Sequence, residues 1–435
     1  MRWCRCGCRP APHVKSRAVS SITLTDSDAR HVHLSMPALS LTVIVVGGGY
    51  GGCVLAPKLE KAGFDVILIE RCQCFFHKIG GGKAAVVPGY ETKVTIPLSK
   101  LKVSKVLWAE AIELDVQRKT LTVRHGDSGL FSILPFDFLV VAVGQSHGFG
   151  QLEDRTLSRV EILSFLRAEQ ARVRKAQKVT IIGGGALGVE TAAQLRHSHP
   201  ATPVTLIHSS RQLMSAVQPP LSAAFKSTLE QKLKNRFGVD INYGVPKGSV
   251  GEEPSAPGEL VLSCKGTGTR PSTRALLPAS WFDANSGEIR VEPTLQVSGA
   301  PPWAFAIGDV AKTGDHKQAR WAFAHAGIVA RNLKALRRGA DRPRLPLATY
   351  SPIARNPVPT WLLRLLVWFW VRRTVPESVQ VVGLYLGEDD GLTEFLGILW
   401  NDRANRMLFP PDKGAAGMAR YLGVGKWAGQ WDKHA

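Results

Sequence analysis

Twice in this chain a short run of β-branched residues passes straight into a Gly-x-Gly-x-x-Gly cluster. Residues 41–46 read LTVIVV and lead into Gly47, Gly49 and Gly52, with Gly48 and Gly51 between them. Residues 179–182 read VTII and lead into Gly183, Gly185 and Gly188. A continuous β-branched run marks a strand buried on both faces of a parallel sheet. The glycine spacing has a geometric logic. The first permits a tight turn, the second lets backbone approach a pyrophosphate, and the third lets the next helix pack close to the strand. N–H groups and the dipole at the helix start then hold the phosphates. Each cluster predicts strand, turn, helix and strand. Two of them predict an α/β chain with two Rossmann-like dinucleotide-binding domains.

The second strands differ in how they end. Residues 65–69 (DVILI) end at Glu70, 23 residues after Gly47. An acid there hydrogen-bonds ribose hydroxyls. Residues 204–207 (VTLI) end instead at His208, Ser209, Ser210 and Arg211. An acid would repel a 2′-phosphate, whereas Arg211 and the two hydroxyls can bind one. NADPH use at least as good as NADH is expected; the plain alternative is that Arg211 is a solvated surface charge. One feature jars, because Pro57 sits inside the first predicted helix and removes a hydrogen bond, so a kink or early break is expected. Two such folds imply two dinucleotides facing each other. The economical pair is a flavin and a nicotinamide, with hydride passing between them.

Composition narrows the partners. In 435 residues, 44% are apolar and 21% charged, which excludes a disordered chain. Seven cysteines exclude a disulfide-built scaffold. No run approaches the ~20 apolar residues that span a bilayer. Lys+Arg number 55 against 35 Asp+Glu, a net charge of +20 that predicts affinity for anions: phosphorylated cofactors, acidic lipid or nucleic acid. Residues 1–40 read as a removable leader, a disordered extension or a mis-assigned start. Arg2 stands where N-myristoylation requires glycine, and Cys4, Cys6 and Cys8 lack the two separated pairs of a zinc site. Cys72 and Cys74 match neither disulfide-reductase spacing, and with Cys53 and Cys264 they read as buried or idle thiols. No histidine spacing points to a metal centre.

Residues 302–310 read PWAFAIGDV, and with the two glycine clusters they complete a familiar set. The sequence resembles the flavoproteins with two dinucleotide-binding domains. Within them it is most similar to the ferroptosis-suppressor and apoptosis-inducing-factor-like, mitochondrion-associated oxidoreductases. The similarity runs from about residue 41 to 335 and includes Phe75-Phe76-His77-Lys78, 138–144 (FLVVAVG), 205–209 (TLIHS), 260–266 (LVLSCKG) and Leu295-Gln296-Val297. The resemblance implies that Gly47, Gly49, Gly51, Gly52 and Glu70 hold the adenosine and pyrophosphate of FAD. It makes Lys83 a basic residue contacting the cofactor and lets Ala111 offer backbone to the adenine. Asp309 then binds the ribityl chain or a pyrophosphate-side hydroxyl. Gly144 marks the crossing into the second domain, in Ala142-Val143-Gly144 where the family usually has Ala-Thr-Gly; the valine loses a hydroxyl. Gly183, Gly185 and Gly188 would bind NAD(P)H over the flavin. Glu190 points towards the nicotinamide, as a proton or orientation residue or as a ribose ligand, and His325 lies near the ring. The implied action is transfer of two electrons from NAD(P)H to FAD and then to a membrane quinone. Positioning supplies most of such an effect, so no essential triad is expected.

The implied division is an FAD-binding domain from 41–150 and 296–345, an NAD(P)H-binding domain at 151–295, and a C-terminal piece at 346–435 forming a small sheet plus helix. Residues 361–371 (WLLRLLVWFWV) are too short to span a bilayer, at ~1.5 Å per residue, yet carry Trp361, Trp368 and Trp370 beside Arg372 and Arg373. They suggest an in-plane membrane anchor, with the protein on a cytosolic membrane face or at the mitochondrion. The alternative is a buried helix or strand, or a dimer contact that would make a homodimer. Two rival functions remain. A type II NADH dehydrogenase would prefer an acid after residue 207. A basic nucleic-acid-binding flavoprotein is permitted by the charge, but no recognition helix or zinc finger appears.

Overall fold

The structure, a computed structural model, describes residues 40–147, 155–217, 220–315, 317–338, 347–350, 381–387, 390–395, 398–400, 418–419 and 422. Residues 1–39, with Cys4, Cys6 and Cys8, and the apolar segment 361–371 lie outside these residues.

The β-branched runs become the centre of two parallel sheets. A seven-stranded sheet has the order Ala304–Ala306, Phe138–Val141, Thr42–Val46, Asp65–Glu70, Val106–Asp115, Thr120–His125 and Phe131–Pro135. Its first five strands are parallel, and the last two fold back as an antiparallel meander. Alternation divides each central strand between two cores. Val43, Val45, Val66, Leu68 and Val140 face the helices Tyr50–Glu60 and Ala319–Arg338. Ile44, Val46, Ile67, Ile69 and Val141 face the other way, towards Leu121, Val123, Trp281 and Trp303. Val43, Ile44 and Val45 are all fully buried. Each such side chain contributes ~1.5–3 kcal/mol by leaving water.

The chain leaves this sheet at Val141 and builds a second one, four parallel strands in the order Val239–Tyr243, Val204–His208, Lys178–Ile182 and Glu259–Ser263. It then returns to the edge of the first, with Ala304 opposite Leu139. This is the α/β arrangement the two glycine clusters predict. The early break expected at Pro57 does not occur, and the first helix continues to Glu60. Pro57 forfeits one donor, but Leu55, Ala56 and Leu59 around it are fully buried, and their packing holds the last turn in place.

A small antiparallel sheet follows, Val381–Leu386, Asp390–Phe395 and Ile398–Trp400. Val382, Leu384, Leu386 and Leu392 pack against Val189, Ala192, Phe225 and Leu229 of the second sheet's helices. Two buried acids fasten it. Asp390 pairs with Lys232 at 2.5 Å and Arg236 at 2.7 Å, and Glu394 accepts from the Ser222 backbone N–H at 3.0 Å. The helix expected beside this sheet falls mostly outside the described residues. Among the described residues no helix is long and apolar enough to cross a membrane.

Candidate functional site

The first glycine turn is built by exclusion. Gly47 has φ +109°, and its N–H donates to the Ile69 carbonyl at 2.8 Å. A Cβ at Gly52 would stand 1.9 Å from the Gly47 carbonyl oxygen, so only glycine fits. Gly49 is different, because a Cβ there would meet nothing within 4 Å. Its constraint is the open space beyond it, the room a pyrophosphate needs. Glu70 closes the turn. Its Oε2 accepts the Gly48 N–H at 2.6 Å and its Oε1 the Cys72 N–H at 2.9 Å. A carboxylate oxygen has a second lone pair, so both remain able to accept ribose hydroxyls.

The second turn repeats the construction. Gly183 has φ +119° and donates to the Ile207 carbonyl at 2.8 Å. A Cβ at Gly188 would lie 1.8 Å from the Gly183 carbonyl oxygen, and one at Gly185 would meet nothing within 4 Å. The carboxylate has no counterpart. The Gly184 N–H donates to His208 Nδ1 at 3.1 Å instead.

One cavity of about 1240 Å³ runs between the two turns. Gly47, Gly49, Gly51, Glu70, Ala111, Gly144 and Asp309 line it on one side, and Gly185 and Glu190 on the other. Two open glycine positions on a space of this size fit two dinucleotides. Gly52, Gly183 and Gly188 shape the turns without reaching the wall.

Three further expected site residues stand off the cavity wall. Lys83 is buried in the short helix Gly81–Ala84, its ammonium 4.9 Å from the centre of the Tyr90 ring. Lys78, five residues earlier, is on the wall together with Arg71, Arg270, Lys317 and Arg320, and it donates to the Gln145 carbonyl at 3.2 Å. His325 is buried behind the Gly308–Val310 turn, where its Nδ1 accepts the Gly308 N–H at 3.0 Å. It holds the backbone that presents Asp309. Arg211 is exposed in the bend after Val204–His208.

Other residues on the wall gave no signal in the sequence. Arg270, nearly buried, donates to the Val143 carbonyl at 2.7 Å and the Gln145 carbonyl at 3.3 Å. Gln145 donates in turn to Glu288 at 3.1 Å, which pairs with Lys317 at 2.5 Å. The crossing between the sheets is thus clamped from both. Tyr50, within the first glycine cluster, stacks edge-on to Phe75 at 5.3 Å and bonds His77 Nδ1 at 3.1 Å. Burial drives its phenol well above the ordinary range.

Glu190 is buried on the opposite wall, and its Oε1 accepts the Tyr385 N–H of the C-terminal sheet at 2.9 Å. Behind Asp309, His325 Nε2 lies 3.8 Å from Asp315, which also accepts from Tyr350 at 2.5 Å. Burial pushes the Asp315 carboxyl up, but the His325 ring 3.8 Å away and the hydroxyls of Tyr350 and Thr313 outweigh it and hold the group below its usual range. The thiols go the other way. Burial pushes Cys72 and Cys264 up to about 12. Both line the cavity, and a thiol held protonated is a poor nucleophile.

Residues 41–328 match the model of the pyridine nucleotide-disulphide oxidoreductase family. Over 337 residues the chain is 27% identical to apoptosis-inducing factor homolog B of Dictyostelium discoideum, covering 70% of this chain and 83% of that protein. It is 26% identical over 336 residues to ferroptosis suppressor protein 1 of Homo sapiens, covering 73% and 86%. Among solved structures, the sulfide:quinone oxidoreductase of Aquifex aeolicus superposes with a TM-score of 0.62 at 16% identity, covering 88% of this chain and 92% of that one. NDH2 of Plasmodium falciparum, in complex with NADH, gives 0.61 at 12% identity, covering 90% and 99%. These structural likenesses show the same fold.

Proposed function

The chain belongs to the pyridine nucleotide-disulphide oxidoreductase family and is an FAD- and NAD(P)H-using oxidoreductase; on that premise we propose that it passes electrons from NAD(P)H through FAD to a quinone. The observation that carries this reading is the single cavity shared by the two glycine turns. Bound FAD supplies the acceptance of hydride and its onward passage as electrons. The chain supplies position. Gly47, Gly49 and Gly51 leave room for a pyrophosphate, Glu70 and Asp309 offer oxygens to hydroxyls, and Ala111 and Gly144 offer backbone. Gly185 opens the facing turn to the nicotinamide nucleotide. Glu190 orients it from the wall, and His325 acts through Gly308 on the placement of Asp309.

The acceptor is read from the third wall. Val382, Leu384, Tyr385, Trp400 and Met418 bring apolar and aromatic surface to the same cavity. Such a face suits a flat, apolar ring better than a charged acceptor. The family match supports an oxidoreductase, and the reading includes peripheral membrane contact through 361–371. Against a type II NADH dehydrogenase stands His208 in place of the ribose-binding acid.

The test is a visible spectrum of the purified protein, followed by anaerobic NADPH and then a short-chain quinone. A yellow protein bleached by NADPH and recoloured by quinone is the expected result. A colourless protein that refuses FAD, or a reduced one that quinone leaves bleached, overturns the proposal.

A further inference from the structure

The two glycine turns use different acceptors for the same backbone N–H. Glu70 serves Gly48, and His208 serves Gly184. Both positions close the strand that follows the turn, and both acceptors pin the residue after the first glycine. The need for an acceptor is therefore structural, and its charge is free to vary.

The surroundings of His208 show which charge the second cleft holds. Because Nδ1 accepts, the neutral ring carries its proton on Nε2, 3.3 Å from the Ser215 hydroxyl. Ser215 passes the chain on to the Ser210 hydroxyl at 3.0 Å. Burial, with Lys247 nearby, keeps the ring below the ordinary histidine range against an opposing bond to the Gln212 backbone. Residues 208–217 contain no Asp or Glu, and Arg211 stands exposed among them. The Met214 N–H donates to the Gly184 carbonyl at 2.9 Å, so this loop is tied to the glycine turn. With Lys247 nearby, residues 208–217 thus offer hydroxyls and a cation and no anion. That is the chemistry of a phosphomonoester site.

We propose that His208 sets the choice of electron donor: it gives the glycine turn the acceptor it requires while withholding the negative charge that rejects a 2′-phosphate, so the second cleft selects NADPH. The inference rests on the reading of that cleft as the donor site. His208 is a positioning and specificity residue and takes no part in the chemistry.

Calorimetry with 2′,5′-ADP and 5′-AMP on the flavin-loaded protein tests the 2′-phosphate alone, beside flavin reduction by NADPH and NADH. Wild type is expected to bind 2′,5′-ADP about tenfold or more tighter than 5′-AMP. His208→Glu reproduces the Glu70 arrangement, and its preference is expected to vanish or reverse. His208→Asn keeps a neutral acceptor and is expected to keep the wild-type preference, whatever the folding yield of the Glu variant. Equal binding of the two probes by wild type, a preference retained in His208→Glu, or one lost in His208→Asn overturns the inference. When that happens while both nucleotides still bleach the flavin, the donor reading survives alone. If neither probe binds and neither nucleotide bleaches the flavin, the donor reading falls and takes the inference with it.

Discussion

The carbonyl oxygen of Gly47 stands 1.9 Å from where a Cβ on Gly52 would be, while the Cβ position of Gly49 faces empty space. The two glycines are needed for opposite reasons. Gly52→Ala forces backbone against backbone, an overpacking cost of ~1–3 kcal/mol. Gly49→Ala leaves the fold untouched and intrudes on the ligand. The expected outcome is a lowered apoprotein Tm for Gly52→Ala, and an undiminished apoprotein Tm with weakened FAD retention for Gly49→Ala. Thermal unfolding with and without added FAD checks both.

Lys78 and Lys83 separate in the same way. Lys78 is on the cavity wall and bonds the crossing at Gln145, whereas Lys83 lies against Tyr90. Lys78→Gln is expected to weaken FAD binding, read as the ratio of flavin to protein absorbance. Lys83→Met retains the apolar stem and loses the cation–π contact, worth ~0.5–2 kcal/mol, and is expected to lower Tm with flavin content preserved. The reverse pattern returns Lys83 to the cofactor.

Much of this was legible because the signals are local. β-Branched runs, glycine spacing and the closing residue of each strand sit within about thirty residues of one another, and fold geometry follows from them. Arg270 was not legible, since its partners Val143 and Gln145 lie more than a hundred residues earlier and meet it only when both sheets exist. Tyr50 was hidden inside the glycine cluster that drew attention to its neighbours. The place of Lys83 off the cavity wall was not legible either, because the short helix Gly81–Ala84 decides where its side chain goes.

Asp315 gives the site a pH dependence of defined sign. The nearby His325 ring and the hydroxyls of Tyr350 and Thr313 hold its folded pKa below the ordinary value. The stability it contributes is full above the unfolded aspartate pKa of ~3.9 and is lost as pH falls through the depressed folded value. Wild type is expected to lose Tm steeply on acidification below about pH 4. Asp315→Asn, which cannot titrate, is expected to start lower and fall less steeply. Parallel slopes in the two proteins assign the acid sensitivity to other groups.

Arg211 tests the donor subsite from the solvent side. It is exposed and follows the two hydroxyls of Ser209 and Ser210. A cation that meets only the 2′-phosphate contributes nothing to NADH. Arg211→Ala is therefore expected to raise the KM for NADPH about tenfold, ~1.4 kcal/mol, and leave the KM for NADH unchanged. Equal changes with both donors, or none with either, make Arg211 a surface charge.

Residues 361–371 carry the membrane part of the proposal, and the argument is one of length and placement. Eleven residues as a helix reach ~17 Å, about half of a bilayer's apolar core, so the segment cannot cross. Lying in the plane it would bury Leu362, Leu363, Leu365 and Leu366 at the level where tryptophans are stable, with Arg372 and Arg373 at anionic headgroups. Wild type is expected to float with vesicles containing phosphatidylserine and to float less at high salt, because the arginines are screened. A protein lacking 361–371 is expected to stay at the bottom of the gradient with its flavin and NADPH-driven bleaching intact. Equal flotation of the two proteins removes the anchor from the proposal and leaves the quinone chemistry to stand on the cavity alone.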